Sequence, residues 1–189
     1  MSTPAPSDAR YTAERYLRLV DEGLLGPDDR VELLEGVIVA MAPQDPPHAS
    51  VVSRLTRLLS EAVGPHAVIR VQLPFNAGAH SVPEPDCAIV PGTDFDYARA
   101  HPTTALLIVE VADSSVAQNR LTKAAIYATA NVPEYWLVNL RDDCVEVFRA
   151  PEPEARRYGS SRLARRGDAL DLVALPDARV AVVDLLPPR

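Results

Sequence analysis

At 189 residues, 47% hydrophobic and 24% charged, the chain has ordinary globular usage and enough length to bury a continuous core in one domain, residues 1–189, with 1–10 as a flexible start. A formal net charge of −7 weighs against broad, nonspecific coating of nucleic acid, but does not exclude a nuclease, whose carboxylates metal neutralises. Met1 to Asp8 has no signal-peptide pattern, no apolar run approaches the roughly 20 residues that cross a bilayer, and Cys87 and Cys144 lack a metal-ligand spacing. They read as reduced core thiols of a cytoplasmic protein with no membrane partner.

In chain order, Tyr16, Leu17 and Val20 fall at helical spacing in 12–22, and Gly23 supplies the stop. "RVELLEGVIVAMAP" predicts two short strands turning at Glu35-Gly36. Pro46-Pro47 opens a helix whose apolar face carries Val51, Val52, Leu55, Leu58, Leu59 and Val63, ending at Gly64. A strand follows in "HAVIRVQLPF", then a turn-rich passage, then the strand "DCAIV" closed by Pro91-Gly92. After an irregular loop from Thr93 to Thr104 comes "LLIVEVA". Ser114 or Ser115 caps the next helix, predicted to run to about Ala130 with Ala117, Leu121, Ala124, Ala125 and Ala128 on its packing side. "PEYWLVNL" and "CVEVFRA" read as a hairpin through 141–143, and shorter strands are predicted at 157–165, 170–174 and 178–184. This order predicts an α/β fold of the mixed α+β kind: a central mixed sheet flanked by helices, with extra C-terminal strands. A doubly wound dinucleotide fold is disfavoured, because no G-x-G-x-x-G turn joins a strand to a helix.

One position in "LLIVEVA" breaks its apolar pattern. Glu110 is a carboxylate in a buried strand, which costs several kcal/mol unless a cation or hydrogen bonds compensate. Asp86 stands at the head of "DCAIV", so if the two strands pair, both acids point to one place. Two carboxylates brought together without a cation raise each other's pKa, and a hard dication, Mg²⁺ or Mn²⁺, removes that conflict. Lys123, in the helix after the Glu110 strand, can bring its ammonium back to the pair. Arg120 and Tyr127 are predicted to share its helix face, with Leu121, Ala124 and Ala125 on the other.

Together, "PEPDCAIV", "LLIVEVADSS" and "RLTKAAIYATANVPEYWLVN" resemble the PD-(D/E)XK nuclease superfamily, and within it the Uma-two family of restriction-endonuclease-like proteins. The resemblance spans about Tyr11 to Phe148. It implies a restriction-endonuclease-like core and metal-dependent hydrolysis of DNA phosphodiester bonds, with Asp86, Glu110 and the carbonyl of Val111 holding Mg²⁺ (or Mn²⁺) and Lys123 acting in catalysis. The superfamily's usual lysine position, two residues after the acid, is Ala112 here. In this branch the lysine comes from the following helix. The resemblance also implies Glu35 as a further acid of the site and matches His48 to a recurrent histidine, with Tyr127 as an accessory.

Blander readings stand beside these. Glu110 as a strand-end acid, Lys123 as a solvated lysine, Glu35 as a turn acid and His48 as a helix-start residue are the structural alternatives. His66, His80 and His101 read as surface residues, and Trp136, like Tyr127, as core packing. Arg156, Arg157, Arg162, Arg165 and Arg166 form the one basic cluster, either a nucleic-acid contact or a solvated hairpin. A homodimer is an expectation for a small nuclease domain. The alternative function is a catalytically inactive nuclease fold used as a binding or regulatory module. A two-carboxylate glycoside hydrolase is disfavoured by the low aromatic content of 5%.

Overall fold

All six residues of strand β5, Leu107–Ala112, are buried, because the strand lies inside a sheet that is covered on both faces. The computed structural model describes residues 10–26, 28–63, 67–113 and 116–188. The expectations for the flexible start (apart from residue 10), for a Ser114 or Ser115 cap, for the stop at Gly64 and for His66 lie outside the described residues.

The central sheet has six strands in the order β3 (Ala67–Arg70), β4 (Cys87–Pro91), β5, β6 (Glu134–Asn139), β7 (Cys144–Glu152) and β8 (Arg157–Ala164). Only β5 and β6 pair in parallel, and the other neighbours are antiparallel, so the sheet is mixed as predicted. A parallel pair needs a crossover, and the chain between β5 and β6 supplies a helical one.

Side-chain alternation divides the strands between two cores. Val109, Val111, Trp136, Val138 and Val147 face α2 (Pro46–Ala62), which lays Val51, Val52, Leu55 and Leu59 against them. Ile108, Ala112, Tyr135 and Leu137 face the crossover helix with Ala124, Ile126 and Tyr127. Each fully buried Leu, Ile or Val contributes about 1.5–3 kcal/mol of transfer free energy. A hairpin of β1 (Val31–Leu34) and β2 (Val37–Ala40), with α1 (Ala13–Asp21) behind it, joins the sheet's margin through a bridge between Leu33 and Val82. A second hairpin, β9 (Ala169–Leu172) with β10 (Leu175–Ala181), closes the α2 side.

Two elements differ from their prediction. The crossover is not one regular helix: α3 (Val116–Gln118) passes through a π-helical turn, Asn119–Lys123, into α4 (Ala124–Thr129). One extra residue in a turn rotates the downstream residues by about 100° around the axis. Leu121, expected on the packing side, is consequently 71% exposed, whereas Lys123 and Tyr127 face inward. The last predicted strand stops at Ala181 and becomes the short helix α5 (Val182–Leu185). Val182, Leu185 and Leu186 are buried there at helical spacing, which outweighs the β-branched pair Val182-Val183.

Candidate functional site

Strand register brings the two acids together. The β4–β5 ladder pairs Cys87 with Val109, so one step further it sets Asp86 across from Glu110. Asp86 Oδ2 accepts a hydrogen bond from the backbone N–H of Val111 at 2.8 Å, which ties the acid to the strand that bears Glu110. Asp86 Oδ1 takes a 3.2 Å bond from Gln72 Nε2 and lies 2.9 Å from His48 Nε2. His48 is aimed by its helix: Asp45 caps α2 by accepting from the His48 N–H at 2.9 Å, and Pro46 and Pro47 occupy the turn's first positions, where no amide hydrogen is needed.

Glu110 is 3% exposed. Its Oε1 accepts from Lys123 Nζ at 3.0 Å and from the Tyr127 hydroxyl at 2.6 Å. Lys123, 6% exposed, also meets Glu32 Oε2 at 3.1 Å, and that same oxygen accepts from the Glu84 N–H at 3.1 Å. The π-helical turn makes this possible by carrying Lys123 and Tyr127, four residues apart, onto the face that meets Glu110.

Burial dominates the electrostatics. It raises the Glu110 carboxyl to about 7, with Asp86 and Glu32 adding to the rise and Lys123 and the Tyr127 hydroxyl opposing it. Burial works against a charged Lys123, but Glu110 and Glu32 more than offset it, and its pKa lies above the ordinary value. Tyr127 is held well above its usual value by burial and by the same two acids. Burial also opposes the charge on His48, and the bond to Asp86 with the charges of Asp86, Asp45 and Glu110 carries its pKa upward. Burial and then Glu32 raise Glu84. Four carboxylates thus meet one buried ammonium and one histidine, an oxygen-rich set short of positive charge, which is donor chemistry that suits a hard dication. Among the described residues no group of three or more His, Cys, Asp or Glu side chains could clasp a metal by itself. Asp86 and Glu110 would need main chain and water beside them, which is ordinary for Mg²⁺.

A family model described as "Putative restriction endonuclease", Uma2, matches residues 13–183. The chain belongs to the Uma2 family. A crystal structure from Anabaena variabilis, described as a putative nuclease, is similar to it with a TM-score of 0.74 at 16% identity, over 93% of this chain and 97% of the other. At that identity the likeness concerns the fold. No curated protein matches the chain.

In this Uma2 chain the other sequence-derived candidates are placed as follows. Glu35 is not brought to the carboxylates. It occupies the β1–β2 turn at φ +50, and its side chain pairs with Arg156. Glu32, three residues earlier, is the acid that reaches Lys123. Arg120 leaves the Lys123 face and holds Glu146, with Nε 2.7 Å from Oε2. The basic cluster is dispersed: Arg157 pairs with Glu152 and Arg166 with Asp143, while Arg162 and Arg165 line a separate cavity of about 530 Å³ beside Arg120. His80 is half-buried, with Nδ1 2.9 Å from the Tyr11 carbonyl, and His101 lines the same cavity as Asp86 and Glu110. Trp136 is wholly buried, donating to Glu134 at 2.9 Å. Tyr127 is core packing and site member together.

Glu32, Glu84 and Gln72 are the site residues that sequence reasoning missed. Glu32 carried a signal: it shares strand parity with Leu34, which packs in the Tyr127 core, so its side chain leaves β1 toward the same side. Gln72 and Glu84 lie outside the strands, in connections where no periodicity marks a direction.

Proposed function

We propose that the protein is a Mg²⁺- or Mn²⁺-dependent endonuclease that hydrolyses phosphodiester bonds in DNA. One observation carries the reading: an ammonium, Lys123, is buried between Glu110 and Glu32 at 3.0 and 3.1 Å, beside an Asp86 that is hydrogen-bonded to the same strand. Membership in a family whose model is described as "Putative restriction endonuclease" supports it.

In this reading Asp86, Glu110 and the Val111 carbonyl would hold the metal, which would supply Lewis-acid chemistry toward phosphate and water. Lys123 donates a hydrogen bond to the developing phosphoryl charge or to the attacking water, with Glu32 fixing its position. Tyr127 keeps Glu110 oriented, and His48 and Gln72 do the same for Asp86. Hydrolysis forms one bond from water oxygen to phosphorus and breaks one ester bond, and the departing alkoxide takes up a proton.

Supercoiled plasmid tests it. The wild type nicks the plasmid when Mg²⁺ or Mn²⁺ is added, and Glu110→Ala does not; supercoiled, linear and single-stranded DNA and RNA all left intact with either metal reject active nuclease chemistry. The acidic set around Lys123, whose ammonium is already spent on two carboxylates, favours a second reading, an inactive nuclease fold used as a binding module. Calorimetry separates them, since Mn²⁺ heat that disappears in Asp86→Ala belongs to the enzyme reading alone.

A further inference from the structure

The carboxylates lie in a cavity of about 850 Å³ whose walls are of two kinds. Glu32, Asp45, Glu84, Asp86, Glu110 and Asp113 line it, together with Arg30 and the already paired Lys123. Apolar side chains line it as well: Leu17 and Val20 of α1, Leu25, and Leu73 and Pro74 ahead of β4. Val20 and Leu73 are 45% and 44% exposed, so two large apolar side chains front the hollow open to solvent.

These walls discriminate between forms of nucleic acid. A duplex presents about one negative charge per 1.7 Å and keeps its base faces stacked inside, so proteins hold it through many Lys and Arg contacts to phosphate. Six acids line this cavity, and the Lys and Arg among its lining residues both act on those acids: Lys123 pairs with Glu110 and Glu32, and the charge of Arg30 acts on Glu84. An unpaired strand brings few phosphates at a time and exposes base faces that can cover apolar surface. Glu110, Asp86 and Lys123 are each at most 7% exposed, so a scissile phosphate must leave the outer surface of a rigid duplex to reach them.

We infer that the substrate is single-stranded nucleic acid, including an unpaired flap, with one base against the Val20 and Leu73 wall while its phosphate reaches Glu110 and Lys123. This rests on the nuclease reading above. It assigns Val20 and Leu73 to substrate selection, although neither touches the carboxylates.

The test uses the full-length protein with Mn²⁺ and end-labelled oligonucleotides of matched length: a single strand, a blunt duplex, and a duplex with a single-stranded flap. The single strand and the flap are cut about tenfold faster than the blunt duplex, consistent with one base contact. Val20→Ser and Leu73→Ser, on exposed positions, add no charge, keep the wild-type melting temperature, and lower single-strand cleavage about tenfold, by a larger factor than they lower duplex nicking. Equal rates on blunt duplex and single strand, or wild-type single-strand rates in both variants, overturn the inference and leave the nuclease reading standing. Cleavage of none of the three with Mn²⁺ or Mg²⁺ removes the nuclease reading and this inference with it.

Discussion

Lys123→Met removes the only buried ammonium from a cluster of buried carboxylates while keeping most of its volume. Lys123 bridges Glu110 and Glu32, which are 3% and 4% exposed, so the substitution leaves two acids without their cation. Removing one partner of a buried pair costs about 3–5 kcal/mol. For a domain of this size that corresponds to a fall in melting temperature of roughly 6–20 °C. Proton uptake limits the loss. The folded pKa of Glu110, already about 7, lies above the ordinary carboxylate value, so the folded state binds the extra proton, and stability falls as pH rises from the unfolded to the folded pKa. Without Lys123 that folded value rises further, so the window of falling stability extends above pH 7 in the variant alone. In EDTA, melting curves at pH 6 and pH 8.5 therefore show a gap between wild type and Lys123→Met that widens at the higher pH, by up to about 2 kcal/mol for one proton over the interval above pH 7. A gap that is the same at both pH values, or no fall in melting temperature at either, refutes the reasoning.

Tyr127→Phe, which deletes the hydroxyl that donates to Glu110 at 2.6 Å, lowers stability by about 1–3 kcal/mol in urea unfolding. Glu134→Ala removes the buried carboxylate that accepts from Arg149, from the indole N–H of Trp136 and from the Val173 amide, and costs about 3–5 kcal/mol. Its fluorescence reports the change directly, since Trp136 is the single tryptophan. Gly36→Ala forces a side chain onto a backbone at φ +83 with Arg10 Cβ 2.5 Å away, and lowers the unfolding free energy, in urea titration, by at least about 1–2 kcal/mol.

The same residues explain how much of the molecule is legible in its sequence. Glu110 and Asp86 stand out because a charge within or at the mouth of an apolar strand is costly, and the strand pairing that joins them is a two-way choice. Helix α2 and its facing strands emerge from uninterrupted periodicity. The π-helical turn does not, because 3.6-residue spacing assumes a regular helix, and that assumption puts Leu121 inside and Arg120 beside Lys123. Motif position favours Glu35 over Glu32, while strand parity, which links Glu32 to Leu34, points the other way. The arginines at 156–166 cluster in sequence, but β8 and the turns around it send Arg156, Arg157 and Arg166 to Glu35, Glu152 and Asp143, one acid each.

Asp86 and Glu110 are proposed to form a divalent-metal centre. Anomalous diffraction from a crystal soaked in Mn²⁺ tests it most directly. A peak is expected between the Asp86 and Glu110 carboxylates with the Lys123 ammonium beside it, and no such peak in Asp86→Ala crystals. A wild-type crystal whose Mn²⁺ peaks all lie elsewhere, with Lys123 still closing the space between Glu110 and Glu32, contradicts it.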